Sequence, residues 1–359
     1  MKKPAKHLTN LLRFSRGANT PIRGPLEAEW EAINTCNARC KTCLDWQQPP
    51  DATVLSTTEA RDMITQLARA GLINLTFSGG EPLLRKDLSD QIAYAKKEGL
   101  TAGLVSNGLL ITERLAKKLV DSGLDVVYLS IDAANGKLND SLRGLRGYFD
   151  LVMNAIDNIK SMRGNASPRI VITATVSSRN VQELVPLAEL AISKGIEGFR
   201  FQLARVLEHQ NFVLDRSLLI QAGNREAFIE QLDKLLTDYQ EVLTGSIEYY
   251  KALRNVLENP AQENKDRPAS EFSFVQIDSW GNVYTSPAKI HKLGNVRDQS
   301  FETIWYGRIT NDCRTNGSSE AEASHLFDVS GTMSVGISEL ALRRFFKLMR
   351  PIFNGAKLF

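Results

Sequence analysis

Apolar positions along the chain follow two alternating patterns, one typical of strands and one typical of helices, starting near residue 26. The first pattern predicts six strands, at residues 26–34, 75–77, 102–105, 126–131, 170–176 and 199–203. The second predicts intervening helices at residues 56–70, 87–98, 112–123, 149–162 and 180–195. Strands alternating with helices imply an α/β protein with a parallel sheet covered by helices. Periodicity alone leaves open a doubly wound sheet and a full or partial (β/α) barrel.

Capping signals support several of these helix boundaries. Ser56 and Glu59 have the spacing of a capping box at the start of the first helix, and Gly71 follows its end. Thr112 is placed to cap a later helix, which ends near Gly123. In either architecture, functional side chains are expected at the carboxyl ends of the strands.

The alternation of strands and helices stops after about residue 205. Two further helices are predicted near residues 218–242 and 246–257. Residues 259–270 form a polar linker, and a β-hairpin is predicted from residue 272 to residue 284. Residues 314–324 are again polar. The C-terminal part is therefore expected to be a smaller module attached to the α/β core.

Length and cysteine usage narrow the class of protein. The 359 residues suffice for one large domain and a smaller module. No apolar run of about 18 residues is present, and no long apolar stretch follows the first lysines, so neither a transmembrane helix nor a signal peptide is expected. Three of the four cysteines fall within eight residues, which favours metal ligation in a reducing compartment over a disulfide framework. A cytoplasmic location is the default expectation.

Charge is distributed unevenly, with basic ends and an acidic middle. Residues 1–23 carry +6 and residues 335–359 carry +4, so a total of +3 leaves −7 for the rest. Residues 337–350 predict a basic amphipathic helix, and residues 8–16 show a shorter pattern of the same kind. Three interpretations stay open: packing on the core, peripheral contact with an anionic inner-membrane surface, or an anionic partner such as RNA. The last is the least favoured, and no nucleic acid is expected as a partner.

The cysteine loop carries the chemistry. Cys36, Cys40 and Cys43 follow the first strand with CxxxCxxC spacing, so one short loop presents three thiolates to one inorganic cluster. A cubane [4Fe–4S] cluster held by three cysteines keeps one iron open to a substrate. The alternative is a structural zinc site completed by Cys313 or a histidine, but zinc ligands usually come as two separated pairs. The four histidines are scattered and show no ligand spacing.

This loop and four further motifs, in the same order, resemble the radical S-adenosylmethionine (SAM) superfamily. The matching segments are Cys36–Cys43, Gly79-Gly80-Glu81-Pro82 after the second strand, Ser106-Asn107-Gly108 after the third, Ser130-Ile131-Asp132 after the fourth, and Leu142-Arg143-Gly144 beyond it. The resemblance covers about residues 26–205. It implies a partial (β/α)6 TIM-type barrel, extended by a small C-terminal β-hairpin and helix. Thr42 stands where the family often has an aromatic residue.

The resemblance also implies roles for individual residues. The open iron would be chelated by the amino and carboxylate groups of SAM, with Gly79 and Gly80 allowing close backbone approach. Glu81 would accept hydrogen bonds from the ammonium, and Arg143 would pair with the carboxylate. The remaining implied contacts are Ser106, Asn107, Ser130 and Asp132 to the ribose hydroxyls, and Val176 and Leu203 to adenine.

The C-terminal module is similar to the SPASM or twitch extension of the family. Residues 274–287, 293–297 and 301–305 carry this similarity. Ser286 stands where a cluster cysteine is usual, and Cys313 alone is too few for a second cluster, so we expect a hairpin without an auxiliary cluster that caps the open barrel. The predicted domains are residues 1–25 (basic segment), 26–210 (core), 211–270 (helical connector), 271–312 (hairpin module) and 313–359 (polar linker and basic helix).

The implied activity is reductive cleavage of SAM to a 5′-deoxyadenosyl radical, which then abstracts hydrogen from a substrate. The expected substrate is a small molecule, a lipid or lipid-linked compound, or a sugar-type biosynthetic precursor. An alternative is maturation of a ribosomally made peptide, and an alternative of another class is a non-catalytic iron–sulfur scaffold or sensor. A reducing partner such as flavodoxin or ferredoxin is expected.

Overall fold

The computed structural model describes residues 20–164, 167–204, 208–209, 212–213, 215–245, 247–258, 273–285 and 291–316. Several predictions concern residues outside these ranges. They are the two basic amphipathic segments (residues 8–16 and 337–350), the polar linker (residues 259–270) and Ser286. Within the described residues, no helix is long and apolar enough to span a membrane.

Nine of the strands form one sheet, and the other two form a short separate pair. The strands are β1 (Glu27–Glu31), β2 (Asn74–Ser78), β3 (Thr101–Ser106), β4 (Val126–Ser130), β5 (Arg169–Val176), β6 (Gly198–Leu203), β7 (Glu208–His209), β8 (Phe212–Val213), β9 (Phe274–Ile277), β10 (Asn282–Tyr284) and β11 (Lys292–Asn295). Strands β1 to β6 pair in sequence order, and every pair is parallel. A doubly wound sheet reverses its order at a switch point, whereas this order runs in one direction, as in a barrel. The prediction of a partial (β/α)6 TIM-type barrel is confirmed.

The helices alternate with the strands and then continue into the C-terminal part. They are α1 (Thr57–Ala70), α2 (Leu88–Lys97), α3 (Glu113–Asp121), α4 (Gly136–Arg143), α5 (Tyr148–Arg163), α6 (Leu184–Ser193), α7 (Ala222–Asp238), α8 (Ile247–Glu258), α9 (Phe301–Tyr306) and α10 (Arg308–Asn316). The capping box of α1 is formed by Ser56 and Glu59, and Gly71 ends the helix in the left-handed conformation. Thr112 caps α3. Sequence periodicity missed α4, which is short and mostly polar.

The two faces of the sheet have different characters. One face contributes Trp30, Phe77, Phe199 and Phe201 to a continuous core that also contains apolar side chains of the helices. Because side chains alternate along a strand, the intervening residues project into the lumen of the barrel. There a small apolar group is built on Val126, Tyr128 and Val171, with Val105 against it. The apolar core is therefore between sheet and helices, and the lumen is largely polar.

The C-terminal hairpin continues the sheet beyond β1. Strand β9 pairs in parallel with β1, in the register Glu27 with Phe274, and β10 and β11 follow in antiparallel order. The hairpin was expected to cap the open barrel. Instead it adds three strands at the β1 edge, because β9 satisfies the backbone groups that β1 would otherwise expose there. At the opposite edge, Leu243 forms a parallel bridge with Phe199 of β6.

The C-terminal helices pack on the chain just before β1. The indole of Trp305 donates a hydrogen bond to the carbonyl of Arg23 (2.9 Å). Arg314 is fully buried over the Trp305 ring, 4.2 Å from its centroid, and donates to the Trp305 carbonyl. Helix α10 thus crosses the predicted boundary at residues 312 and 313, because Arg314 is part of this packing.

Replacing Ser56 by Ala should lower the free energy of unfolding by about 1 kcal/mol, because the Glu59 amide loses its acceptor. Thr58→Ala, on the exposed side of the same turn, is the matched control and should change it by less than about 0.5 kcal/mol. Urea denaturation followed by circular dichroism measures both values. Equal losses in the two variants would contradict a specific capping role.

Candidate active site

The three cysteines lie on the loop that follows β1, at the carboxyl end of the parallel sheet. Cys40 is buried, while Cys36 and Cys43 are half-buried. The indole N–H of Trp46 donates to the carbonyls of Cys40 (3.2 Å) and Cys43 (3.0 Å). This tryptophan lies three residues beyond the motif and supplies an aromatic ring next to the loop, which the sequence prediction had not included. The loop is therefore closed on itself by hydrogen bonds at its second half.

The first half of the loop is held against the turn after β2. Gly80 donates its backbone N–H to the Ile33 carbonyl (3.0 Å), and Glu81 donates to the Thr35 carbonyl (2.8 Å). A Cβ on Gly80 would lie 2.2 Å from the Thr35 oxygen, and one on Gly79 would lie 2.3 Å from the Ile33 oxygen. No side chain fits at these distances. In this structure the two glycines thus provide close approach of the cysteine loop, whereas the sequence predicted close approach of SAM.

The second half of the loop is held by the end of α4. Arg39 donates its backbone N–H to the Arg143 carbonyl (3.3 Å), and Lys41 donates to the Leu142 carbonyl (2.9 Å). Gly144 ends the helix with φ +69°, and a Cβ there would lie 2.2 Å from the Arg39 oxygen. Gly144 is consequently needed both for its backbone conformation and for the contact. The loop is clamped on both sides by main-chain hydrogen bonds.

Glu81 also connects the second strand to the third. Its carboxylate accepts hydrogen bonds from the Leu83 amide (3.0 Å), the Ser106 hydroxyl (2.8 Å) and the Asn107 amide (2.8 Å). Complete burial raises the pKa of this carboxyl to about 7, although the three hydrogen bonds oppose the shift. In this structure both carboxylate oxygens hold neighbouring loops, and a contact of Glu81 with the ammonium of SAM stays a prediction.

Arg143 and Asp132 form a buried ion pair beside Cys40. Arg143 Nη2 lies 2.7 Å from Asp132 Oδ1, and Nη1 donates to Cys40 Sγ at 3.7 Å. The same Asp132 oxygen accepts the Thr175 amide (2.8 Å). The sequence placed Arg143 on the SAM carboxylate and Asp132 on the ribose, whereas the structure pairs them with each other. Within the described residues, Asp132 Oδ2 and Arg143 Nε are buried without a hydrogen-bond partner, so each keeps one polar atom for a ligand.

The remaining predicted hydroxyl contacts have other partners. The Asn107 amide group donates to Asn37 Oδ1 (2.7 Å), and its oxygen accepts from Leu109. Ser106 bonds Glu81 and Gly108 through its hydroxyl and is 2% exposed. Ser130 lies half-buried at the end of β4 on the lumen face, and its hydroxyl has no hydrogen bond to a described residue. Of the serine and asparagine residues predicted for the ribose, Ser130 is thus the one placed to meet a ligand in the lumen.

Val176 and Leu203 lie at the ends of β5 and β6, as predicted, but their side chains face the core. Both are buried in the apolar cluster shared with the helices. The side chains on the lumen face at these ends are Thr175 and Gln202, which hydrogen bond to each other (3.3 Å). Strand alternation assigns the lumen to their neighbours, and a contact of Val176 and Leu203 with adenine stays a prediction.

The surroundings of the three cysteine thiols suit an iron–sulfur cluster. The Ala38 amide lies 3.5 Å from Cys36 Sγ and the Asn107 side-chain amide 3.9 Å from it. Burial raises the pKa of the Cys36 thiol to about 11 and raises that of Cys43 well above its usual range. Bound iron replaces such protons, so binding is coupled to proton release. No three His, Cys, Asp or Glu side chains in the described ranges converge on a single ion; a cubane needs no such convergence, because it spreads its thiolates over separate irons.

Sequence reasoning missed the polar lining of the lumen. Ser78 donates to Glu29 (2.7 Å), Gln276 donates to Glu31 (3.1 Å), and Arg200 lies over a tyrosine ring. The signal was present, since polar residues occupy every second position of β1 and β2. Alternation alone does not say whether the polar face meets solvent or a barrel lumen.

Comparison with known proteins identifies the family. The model of the radical SAM superfamily matches residues 30–191. An AdoMet-dependent heme synthase of Nitratidesulfovibrio vulgaris is 30% identical over 329 residues, which cover 80% of this chain and 83% of the relative. The mycofactocin maturase MftC of Mycolicibacterium smegmatis is 29% identical over 297 residues, covering 82% and 72% of the two chains. In fold, the chain resembles SuiB of Streptococcus suis bound to S-adenosylmethionine, with TM-score 0.65, 16% identity, and 90% and 75% coverage.

Replacing Gly144 by Ala should destabilise the protein and weaken the hold on the cysteine loop. Gly147→Ala is a matched control, because Gly147 has a similar φ (+77°) but nothing within 4 Å of the added Cβ. Both variants should lose about 1–2 kcal/mol from left-handed strain, and Gly144→Ala should lose about 2 kcal/mol more from the displaced Arg39 carbonyl. Guanidinium denaturation and iron content after anaerobic reconstitution measure the two effects. Identical behaviour of the variants would contradict the clamp.

Glu81 should make stability fall as pH rises from about 4.5 to about 7. The unfolded carboxyl loses its proton near pH 4.5, whereas the folded one keeps it to about pH 7, so the unfolded state binds fewer protons in this window. The loss should be about 3 kcal/mol and should be absent in Glu81→Gln. Glu226→Gln, an exposed carboxylate on α7, should keep the wild-type slope. Unfolding free energies at several pH values test this, and equal slopes in all three proteins would contradict it.

Proposed function

The chain belongs to the radical SAM superfamily, and we propose that it holds the [4Fe–4S] cluster of that family on Cys36, Cys40 and Cys43. The observation that carries this proposal is the cysteine loop, clamped by main-chain hydrogen bonds on both sides at the mouth of a polar lumen. A loop held in this way presents its thiols before any metal arrives. We propose that these cysteines are the cluster ligands and that the enzyme acts on a substrate inside the barrel.

When bound, the cluster and SAM supply one-electron reductive cleavage that starts hydrogen abstraction. The residues of the chain orient and enclose these groups. Arg143 places a positive charge and an N–H donor beside the Cys40 sulfur, and Asp132 fixes its direction. Thr175 and Gln202 offer polar groups at the lumen ends of β5 and β6 for the ribose and adenine of SAM. Gly79 and Gly80 act by letting the loop approach, and their carbonyls would accept hydrogen bonds from the ammonium of SAM.

For the substrate, we propose a small polar biosynthetic molecule. Other half-buried side chains on the lumen face carry carboxylates and hydroxyls: Glu29, Glu31, Thr173 and Tyr284. Such a lining favours a hydroxylated or charged compound over a lipid tail, because an apolar chain would bury these polar side chains without adding a hydrogen bond to them. Sugar-type precursors match this chemistry better than lipids do.

Peptide maturation is the second candidate. It is favoured by the likeness to mycofactocin maturase, which extends over 82% of this chain. The two candidates predict different activators of SAM turnover. Small molecules from a fractionated extract should stimulate 5′-deoxyadenosine formation under the first, and a peptide fraction should do so under the second. In both cases a reductant such as flavodoxin or ferredoxin is required, and membrane contact through the basic ends remains a separate proposal.

Replacing Cys40 by Ala should abolish both the iron–sulfur absorbance and the formation of 5′-deoxyadenosine after anaerobic reconstitution with dithionite and SAM. Cys313→Ala, on α10, is the matched control and should retain both signals. Absorption spectra and chromatography of the nucleoside measure the two outcomes. A wild-type protein with a reducible cluster that does not cleave SAM would favour an iron–sulfur scaffold or sensor instead. Equal losses of both signals in the two variants would contradict the assignment of the cluster ligands.

A further inference from the structure

Arg200 on β6 is a buried cation that forms no ion pair with a described residue. Its residue exposure is 5%, and its side chain donates no hydrogen bond to a described residue. Its guanidinium carbon lies 3.6 Å from the centroid of the Tyr128 ring. Burying a charge outside an ion pair is costly, and the guanidinium is therefore available to an anionic ligand.

The guanidinium of Arg200 lies inside the barrel. Tyr128 is on β4 and Arg200 on β6, and β5 lies between these two strands in the sheet. The arginine side chain therefore crosses the lumen face of β5 to reach the tyrosine. On β5, Thr173 is the register partner of Arg200 and also of Ser130 on β4. Two hydroxyl side chains thus lie next to the arginine, on the side toward the cysteine loop.

We propose that Arg200, with Thr173 and Ser130 beside it, binds a carboxylate group of the substrate. This inference rests on the proposed function and adds a chemical class to its substrate. A guanidinium and flanking hydroxyls are suitable donors for a carboxylate, and the tyrosine ring holds the guanidinium in one orientation. The subsite lies below the carboxyl ends of the strands, deeper than the cysteine loop, so a substrate anchored there extends upward toward it.

The opposite wall of the lumen limits the charge of the substrate. Strand β1 presents Glu27, Glu29 and Glu31 to the lumen, and β9 adds Gln276 beside Glu31. Glu29 and Glu31 accept hydrogen bonds from Ser78 and Gln276. Three carboxylates in the same lumen disfavour a dianion such as a phosphate monoester. The substrate class is therefore a small compound with a single carboxylate.

The test uses the anaerobically reconstituted full chain and simple carboxylates as probes. Acetate, glycolate and lactate are compared with acetamide, glycolamide and lactamide at matched ionic strength, by thermal unfolding and calorimetry. Carboxylates should raise Tm of the wild type and of Arg114→Gln, an exposed control on α3, and amides should not. Arg200→Gln should lose the response. Equal responses to acids and amides, no response of the wild type, or an undiminished response of Arg200→Gln would overturn the proposal.

A second measurement distinguishes the subsite from a structural role. Without probes, Arg200→Met should have a higher Tm than the wild type, because an unpaired buried charge is removed. If the stacking on Tyr128 mainly stabilised the barrel, Tm would fall, which would contradict the proposal. Reductive SAM cleavage by the wild type, measured in the same preparation, tests the proposed function separately. Cleavage of SAM without carboxylate binding would contradict the proposed subsite alone. Carboxylate binding without cleavage of SAM would contradict the proposed enzymatic function.

Discussion

The cysteine loop is held by backbone hydrogen bonds from two directions, and the geometry of the site depends on this constraint. Glu81 and Arg143 each contribute two kinds of contact. Their main-chain atoms form hydrogen bonds with the loop. Their side chains contact other elements: that of Glu81 the end of β3, and that of Arg143 the carboxylate of Asp132. Asp132 in turn accepts the Thr175 amide of β5. The position of three thiols is thereby tied to the ends of five strands, and glycines at the contacts allow the chains to approach.

The two faces of the sheet differ in what they contribute. The face toward the helices carries a continuous apolar core, and the free energy gained by burying it offsets the cost of a polar lumen. The lumen includes groups that a stability-optimised barrel would not keep, above all Arg200 without a counter-charge in the described part of the chain. The C-terminal hairpin adds strands beside β1 and thereby extends the wall that carries the glutamates.

Much of the fold was predictable because its signals are local. Apolar strands, caps such as Ser56 and left-handed glycines such as Gly71 act within a few residues, and these elements form where the sequence indicates. Helix α4 was missed because its apolar residues are too few to show a period. The contacts that Glu81 and Arg143 make within the protein were not predictable, since partners such as Asn107 and Cys40 are distant in sequence. Arg200 was not recognised because alternation does not reveal that a polar face is enclosed.

The main-chain hydrogen bonds hold the cysteine loop in place before a cluster binds. Hydrogen–deuterium exchange on the metal-free protein, kept anaerobic, measures this directly at the amides of Arg39, Lys41, Gly80 and Glu81. We expect protection comparable with that of the β2–β3 ladder, because these four amides donate to backbone carbonyls in the same cooperative structure. Exchange at the rate of an unfolded peptide, with protection appearing only after reconstitution, would contradict it.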